Sequence, residues 1–153
     1  MRRKFAVDLY ELMKKDKNII LITADLGYGM LDKIRDEFPD RFINTGAAEQ
    51  AMTCIAIGLA LSGKIPVTYS ITPFLIFRPF EAIRNYIDHE KIPVIMVGSG
   101  RDKDYNEGGF SHDATDHVIL KQLSNINFIV PEQDFNLKEI IYSEKPVYIN
   151  LKR

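Results

Sequence analysis

The chain has 153 residues, of which 46% are hydrophobic, a length that can bury one sizeable core but not two ordinary domains. Its 20 Lys and Arg residues nearly balance its 21 Asp and Glu residues, and their scatter excludes the basic surface of a nucleic-acid or anionic-membrane binder. Because it shows no secretory signal, no apolar run of spanning length and only one cysteine, Cys54, we expect a cytoplasmic single domain over residues 1–153.

The apolar pattern alternates between helical and strand periodicity along the chain. Phe5, Leu9 and Leu12 recur at helical spacing and predict an opening helix, and the apolar run over 18–24 predicts a buried strand before Gly27. Further helices are predicted over about 29–37, 47–62, 76–90, 115–123 and 135–143, and strands over 42–44, 67–70, 93–97, 128–130 and 147–151. This alternation predicts a three-layer α/β/α fold around a mainly parallel sheet of roughly six strands.

Polar segments follow several of the predicted strands at their carboxyl ends. They contain Asp25, residues 44–49, residues 70–77 and the long irregular loop over 98–116. In parallel sheets ligands bind beyond the carboxyl ends of the strands, and long irregular loops are often binding loops. We therefore expect these segments to converge on one edge of the sheet and to form a single site.

Glu49 lies in the first turn of the helix predicted over 47–62. A carboxylate in this position can simply stabilise the helix dipole, with Thr45 or Gly46 as the cap. The rest of the helix is apolar or small nearly all round, which predicts a central and buried helix. A carboxylate at the mouth of such a helix favours a chemical role over a purely capping one.

Short motifs occur in a fixed order between residues 20 and 134. They are Ala24-Asp25-Leu26, Phe38-Pro39-Asp40-Arg41-Phe42-Ile43-Asn44-Thr45-Gly46-Ala47-Ala48-Glu49-Gln50, Ala56-Ile57-Gly58-Leu59-Ala60, Thr72-Pro73-Phe74-Leu75-Ile76-Phe77, Glu81-Ala82-Ile83-Arg84, Gly109-Phe110-Ser111-His112 and Asp116-His117, followed by Asn125 and Pro131. As an ordered set they resemble the pyrimidine-binding domain of transketolases and 1-deoxyxylulose-5-phosphate synthases, which use thiamine diphosphate. Pro73, Phe110 and Ser111 depart from the motifs of that family.

The resemblance implies cofactor-binding roles for Glu49, Phe74 and Phe77. Glu49 would hydrogen-bond N1′ of the aminopyrimidine and favour the imino tautomer, whose exocyclic nitrogen can take the C2 proton of the thiazolium ring. Phe74 and Phe77 would offer an aromatic face on which the pyrimidine stacks, and core packing is the alternative for Phe77. Because Pro73 is an extra residue, either ring could be the one that stacks.

The resemblance also implies roles for His112, His117 and Asp25. His112 would approach a hydroxyl or carbonyl oxygen of the substrate, although a loop histidine can also be an ordinary solvated residue. His117 would orient its neighbours, and Asp25 would reach the cofactor or a partner, or would simply be a turn residue. We predict no metal site in this chain, because its His and Asp spacing fits no recognised zinc pattern.

The sequence contains no Gly-Asp-Gly element, with which such enzymes hold the diphosphate, and we expect their diphosphate-binding and C-terminal transketolase domains to be absent from this chain. The resemblance therefore implies a separate diphosphate-binding transketolase subunit, which holds Mg²⁺ or Ca²⁺ and shares thiamine diphosphate with this chain. A homodimer or heterotetramer is expected. The implied reaction transfers a two-carbon ketol unit between sugars or sugar phosphates.

Alternatives to ketol transfer remain open from the sequence. The same cofactor supports decarboxylative condensation of a 2-oxo acid, and a homologue of this fold can also be a non-catalytic regulatory or scaffold protein. The size and alternating pattern also suit a receiver domain of signalling proteins. However, Asp25 closes the first strand alone, and Pro131 rather than Lys follows the late strand, so the acidic pair and lysine of a receiver are not evident.

Overall fold

A six-stranded sheet in which neighbouring strands are all parallel forms the centre of the chain. The computed structural model describes residues 1–101, 104–112 and 116–152, except for the side chains at positions 106, 116 and 117. The strands are β1 Ile19–Thr23, β2 Phe42–Asn44, β3 Ile65–Ile71, β4 Ile95–Ser99, β5 Asn127–Ile129 and β6 Val147–Leu151, and their spatial order is β2-β1-β3-β4-β6-β5. The predicted α/β/α fold class is confirmed, and the sheet is wholly rather than mainly parallel.

Helices cover both faces of this sheet. They are α1 Arg2–Lys15, α2 Asp32–Glu37, α3 Glu49–Leu61, α4 Thr72–Phe77, α5 Phe80–Ala82, a π-helical stretch Ile83–His89, α6 Asp116–Leu120 and α7 Leu137–Ile141. Short 3₁₀ turns lie at Pro39–Arg41, Asn106–Gly108 and Phe110–His112. In the part of the chain that the structure describes, no helix is long and apolar enough to cross a membrane.

The strands supply side chains alternately to two cores, one on each face of the sheet. On one face, Val67 and Tyr69 of β3 pack with residues of α1, α2 and α7. On the other face, Met96 of β4 and Tyr148 of β6 pack with residues of α3, α4 and the π-helical stretch. Every residue of β1, β4 and β6 is buried, as expected for parallel strands that are covered on both sides.

The parallel register brings the carboxyl ends of the strands to one edge. Thr23 pairs with Asn44 and Tyr69, while Ser99 pairs with Ile71 and Leu151. The segments that follow β1, β2, β3 and β4 therefore emerge side by side, as the sequence predicts. This edge carries all the described candidate residues.

The helix predicted over 76–90 begins earlier than expected and is interrupted. It starts at Thr72, directly after β3, because Pro73 is well tolerated in a first helical turn. It stops near Pro79, whose nitrogen has no hydrogen to donate to the preceding turn. Gly98 of β4 allows this close start, since a Cβ there would lie only 2.8 Å from Oγ1 of Thr72.

Helix α3 is buried on one side only, which corrects the prediction of a wholly buried helix. Its buried side is lined by Met52, Thr53, Ala56 and Ile57, and its exposed side by Ala51, Cys54, Ile55, Gly58 and Leu61. The thiol of Cys54 is therefore exposed rather than packed inside the chain. A sequence that is apolar all round does not distinguish a helix buried within one chain from a helix that a second chain covers.

Candidate functional site

Glu49 is buried at the start of α3, with only 2% of its surface exposed. Ser70, next to last in β3, donates a hydrogen bond from Oγ to Oε1 of Glu49 at 2.9 Å. Arg78, just after α4, donates from Nη1 to Oε2 of Glu49 and forms an ion pair with it. Both carboxylate oxygens therefore have partners, which compensates for the water that the buried group has lost.

The loop before α3 is built so that the helix begins at this edge. Its first residue, Thr45, donates its amide hydrogen to the carbonyl of Thr23 at 3.0 Å, which extends the pairing of β1 and β2. Gly46 then turns the chain at a φ of 66°, a conformation that favours glycine. The Asn44 side chain accepts hydrogen bonds from the amides of Gly46 and Asp25, both at 3.0 Å, and so joins two of the edge segments.

Phe74 places an aromatic ring beside the Glu49 and Arg78 pair. The central guanidinium carbon of Arg78 lies 4.1 Å from the centroid of the half-buried Phe74 ring. The His112 ring contacts the same phenyl ring edge-on, with 4.8 Å between centroids and 72° between planes. Glu49, Phe74 and His112, three residues that sequence analysis selected, are thus brought together.

Phe77 occupies a different position from Phe74. It is 41% exposed at the end of α4. Within the described part of the chain, it takes part in none of the aromatic contacts that join Phe74 to His112 and Arg78. Of the two candidate rings, Phe74 is the one that the fold places in contact with the partner of Glu49.

His112 is held by hydrogen bonds on one side of its ring. Its Nδ1 lies 2.9 Å from the carbonyl oxygen of Gly108 and 3.0 Å from Oγ of Ser111. A carbonyl oxygen can only accept a hydrogen bond, so Nδ1 carries the hydrogen in this contact, and in the neutral ring Nε2 would then be the nitrogen with the lone pair. A Cβ at position 108 would overlap the His112 ring, so glycine at this position allows the arrangement.

Asp25 lies at the same edge but has other partners. It is exposed, adopts a φ of 52° and accepts a hydrogen bond from the Tyr28 hydroxyl, which raises the pKa of Tyr28. Among the described residues, its hydrogen bonds join it to Tyr28 and Asn44 rather than to Glu49. Aspartate tolerates the left-handed conformation of tight turns, so this geometry favours the turn interpretation.

The proposed roles of other polar residues have less structural support. The His117 side chain and the whole of Asp113 lie outside what the structure describes. Among the residues that it does describe, no group of three or more His, Cys, Asp or Glu side chains is placed to hold a metal ion.

Two residues that contact Glu49 in the structure, Ser70 and Arg78, do not stand out in the sequence. The candidate segment over 70–77 includes Ser70 without a role and ends one residue before Arg78. A polar residue near the end of a buried strand and an arginine just after two candidate phenylalanines were the available signals. A buried carboxylate at the carboxyl edge of a parallel sheet, beside an aromatic ring and a histidine, is the arrangement expected of an α/β domain that binds a ligand.

Known proteins identify the family of this domain. The family "Transketolase, pyrimidine binding domain" matches residues 1–153, so the chain belongs to it. This membership replaces the receiver-domain alternative.

Curated relatives point in the same direction. A putative transketolase C-terminal section from Methanocaldococcus jannaschii is 34% identical over 159 residues, covering 100% of this chain and 50% of the relative. An apulose-4-phosphate transketolase subunit from Actinobacillus succinogenes is 34% identical over 120 residues, covering 75% of this chain and 39% of the relative. The chain thus spans half or less of the length of these relatives.

A solved structure described as "Split gene transketolase, inactive beta4 tetramer" has a similar fold. It superposes with a TM-score of 0.81 at 33% identity, covering 95% of this chain and 49% of the solved chain. The described strands and helices therefore form the fold of a transketolase pyrimidine-binding domain.

Proposed function

We propose that this chain is the pyrimidine-binding subunit of a split, thiamine-diphosphate-dependent enzyme of the transketolase type. The observation that carries the proposal is the burial of Glu49, which is 2% exposed at the carboxyl edge of the sheet. Burial makes a carboxyl group suitable for a strong, specific hydrogen bond to a ring nitrogen. Family membership over residues 1–153 supports thiamine diphosphate as the source of that ring.

The residues at the edge fit an aminopyrimidine. Glu49 offers a carboxyl group that can share its proton with N1′, and Phe74 offers a half-buried aromatic face on which a flat ring can stack. Among the described hydrogen bonds and ring contacts, none joins Phe77 or Asp25 to Glu49 or Phe74, so their proposed roles would be at the margin of the site. When bound, the cofactor supplies the nucleophilic carbon that accepts the ketol unit.

The residues of this chain then hold and orient the reacting groups. Glu49 would share a proton with N1′, and Ser70 would fix its carboxyl group through Oε1. His112 presents Nε2, which can accept a proton from a substrate hydroxyl or, once protonated, donate to a carbonyl oxygen. Glu49 and His112 are accordingly the two catalytic residues that we propose.

In the proposed enzyme, a second chain holds the diphosphate. The Gly-Asp-Gly element is missing from this sequence, and two relatives are named as a C-terminal section and as a subunit of transketolases. The exposed side of α3, from Ala51 to Leu61, is apolar and begins next to Glu49. An exposed apolar patch of this kind is typical of a protein interface.

The proposed assembly is a cytoplasmic homodimer or heterotetramer in which the partner holds the diphosphate with Mg²⁺ or Ca²⁺. Residues 1–153 form the pyrimidine-binding domain of that assembly. Ketol transfer between sugars or sugar phosphates is favoured over 2-oxo-acid condensation, because both relatives at 34% identity carry transketolase names.

Calorimetric titration of thiamine diphosphate with Mg²⁺ tests this proposal. The titrant is added to this chain, to a Gly-Asp-Gly-containing partner from the same genome, and to their mixture. We expect the mixture to bind at least about tenfold more tightly than either chain alone, because two half-sites then act on one ligand. Absence of binding in the mixture would instead support a non-catalytic homologue, and equally tight binding by this chain alone would contradict the split site.

A further inference from the structure

The Arg78 side chain makes both of the contacts that the proposed function assigns to the aminopyrimidine. Its flat guanidinium lies over the Phe74 ring, 4.1 Å from the centroid, and its Nη1 donates a hydrogen bond to Oε2 of Glu49. Guanidinium groups are planar, stack on aromatic rings and donate to carboxylates. A flat, nitrogen-bearing group therefore already fills the place of the ring.

The remaining contacts of the site indicate that Arg78 and a pyrimidine would compete for the same groups. Oε1 of Glu49 accepts from the buried hydroxyl of Ser70 at 2.9 Å, so Oε2 is the oxygen that a ligand can use. The Phe74 ring is contacted edge-on by His112, which leaves a face to the group that stacks on it. Arg78 uses this oxygen and stacks on this ring.

We propose that Arg78 is a built-in occupant of the pyrimidine site, which the cofactor displaces when it binds. The proposal rests on the function proposed above for Glu49 and Phe74. In the cofactor-free chain, Arg78 gives the buried Glu49 carboxylate a charged partner that water cannot replace. The ring of the cofactor exchanges with this partner, and the guanidinium moves away from the carboxylate.

The position of Arg78 makes this exchange possible without disruption of the core. Its side chain is 43% exposed, whereas that of Glu49 is 2% exposed, so the arginine can leave towards solvent while the carboxylate stays. Arg78 also lies between α4 and Pro79, where the helix is interrupted. No helical hydrogen bond from the Pro79 nitrogen has to break when the arginine moves, because proline has no N–H to donate.

Displacement of an occupant lowers the apparent affinity for the cofactor. A ligand that binds only the open state has its affinity reduced by the fraction of molecules in that state. Minor states of proteins are commonly populated at about 10% or less, so removal of the guanidinium should improve affinity by about tenfold or more.

Arg78→Met tests the proposal, because methionine keeps an apolar stem and removes the guanidinium. Thiamine diphosphate with Mg²⁺ is titrated into the mixture of this variant and the Gly-Asp-Gly-containing partner. We expect about tenfold tighter binding than with the wild-type chain. We also expect a lower urea midpoint for the variant alone, because Glu49 loses its charged partner. If the role of Arg78 were purely structural, Arg78→Met would lower both the stability of the chain and its affinity for the cofactor.

Arg35→Met is the matched control. The Arg35 side chain is 45% exposed, close to the 43% of Arg78, but it pairs with the exposed carboxylates of Asp32 and Asp36 rather than with a buried one. The Arg35→Met variant should leave the affinity for the cofactor unchanged. Arg78→Lys should bind with intermediate affinity, because an ammonium group can pair with Glu49 but cannot stack as a flat group.

The outcomes separate this proposal from the function on which it rests. If wild-type and Arg78→Met mixtures bind with equal affinity, or the variant binds more weakly while still folded, Arg78 is not an occupant to be displaced. If Arg78→Met does not fold, the Arg78→Lys variant is used to test the proposal instead. A cofactor affinity of Arg78→Lys at or below that of the wild-type chain would overturn the proposal. If no mixture binds the cofactor, the proposed function fails and the occupant role fails with it.

Discussion

The two partners of the Glu49 carboxylate differ in how firmly they are held. Ser70 is 1% exposed and belongs to a strand with neighbours on both sides, so its hydroxyl has a fixed position. Arg78 is a long side chain that is 43% exposed. Ser70 therefore sets the orientation of the carboxylate, and Arg78 mainly balances its charge.

Substitution of Ser70 by alanine should misplace Glu49. Loss of one hydrogen bond to a buried carboxylate is expected to cost about 1–3 kcal/mol of unfolding free energy. Exchange of the cofactor C2 proton in the assembled enzyme should slow by about tenfold, because proton transfer depends on geometry. Urea unfolding and proton NMR in deuterium oxide measure the two effects.

Thr68→Val is the control for Ser70→Ala. Thr68 lies two residues earlier in β3, on the same face of the sheet, and its buried hydroxyl contacts the carbonyl of Ile95 at 3.5 Å. This variant should affect stability without slowing C2 exchange. Equal slowing in both variants would show that Ser70 has no special relation to Glu49.

Sequence motifs led to Glu49, Phe74 and His112 but not to the partners of Glu49. The motif residues could be recognised because their types and order follow a family pattern. Ser70 and Arg78 lie 21 and 29 positions after Glu49, and their contact with it depends on how β3 and α4 pack against α3. The roles of Glu49, Phe74, Phe77, His112 and Asp25 in binding or catalysis stay predictions.

At the scale of elements, α3 is the helix that would connect the site to the proposed partner. It begins with the buried Glu49 and continues as a helix whose outer side is apolar and exposed. A partner that covers this side would lie directly beside the carboxylate. Closure of the site and assembly would then be parts of the same event.

Ile55→Arg should weaken assembly and leave the fold intact. Ile55 is 39% exposed on the outer side of α3, so a charge there costs little in the isolated chain but would be buried in a complex. Light scattering coupled to gel filtration measures assembly of the chain, alone and with its partner. Circular dichroism checks the fold.

Val7→Arg serves as the control for Ile55→Arg. Val7 is 61% exposed on α1, which packs against the opposite face of the sheet. We expect this variant to assemble as the wild-type chain does. If Ile55→Arg also assembles normally, the outer side of α3 is not part of the interface.

Element boundaries near α4 show where periodicity alone fails. Phe77, Phe80 and Ile83 have the helical spacing that predicts a start near residue 76. The actual start at Thr72 has a proline in its first turn, a local signal that the spacing does not contain. This difference matters because it places Phe74 on a helix beside Glu49 rather than in the preceding loop.

At the scale of the whole molecule, the alternation of strands and helices is sufficient to predict the fold class. It indicates six strands, parallel pairing and a common edge for the functional segments, all of which the structure contains. Strand order does not follow from the sequence, because β6 lies between β4 and β5 through a connection that reverses direction along the sheet. The outermost strands, β2 and β5, are the shortest, and only tertiary pairing defines them.

The same fold explains why a single chain would hold only part of the cofactor. Its described candidate residues lie at one edge and offer a carboxylate, an aromatic face and a histidine, which suit a ring and a substrate oxygen. The Gly-Asp-Gly element that would hold the diphosphate is absent from the sequence. In the proposed enzyme, function would therefore depend on the interface as much as on the domain.

Exchange of the cofactor C2 proton in the assembled Glu49→Gln enzyme is the most direct test of the central role of Glu49. Glutamine keeps the shape of the side chain but cannot share an acidic proton with N1′. We predict an unchanged fold and assembly, with exchange slowed by roughly 100-fold or more relative to the wild-type complex. Exchange at the wild-type rate in a folded, assembled variant would contradict the account.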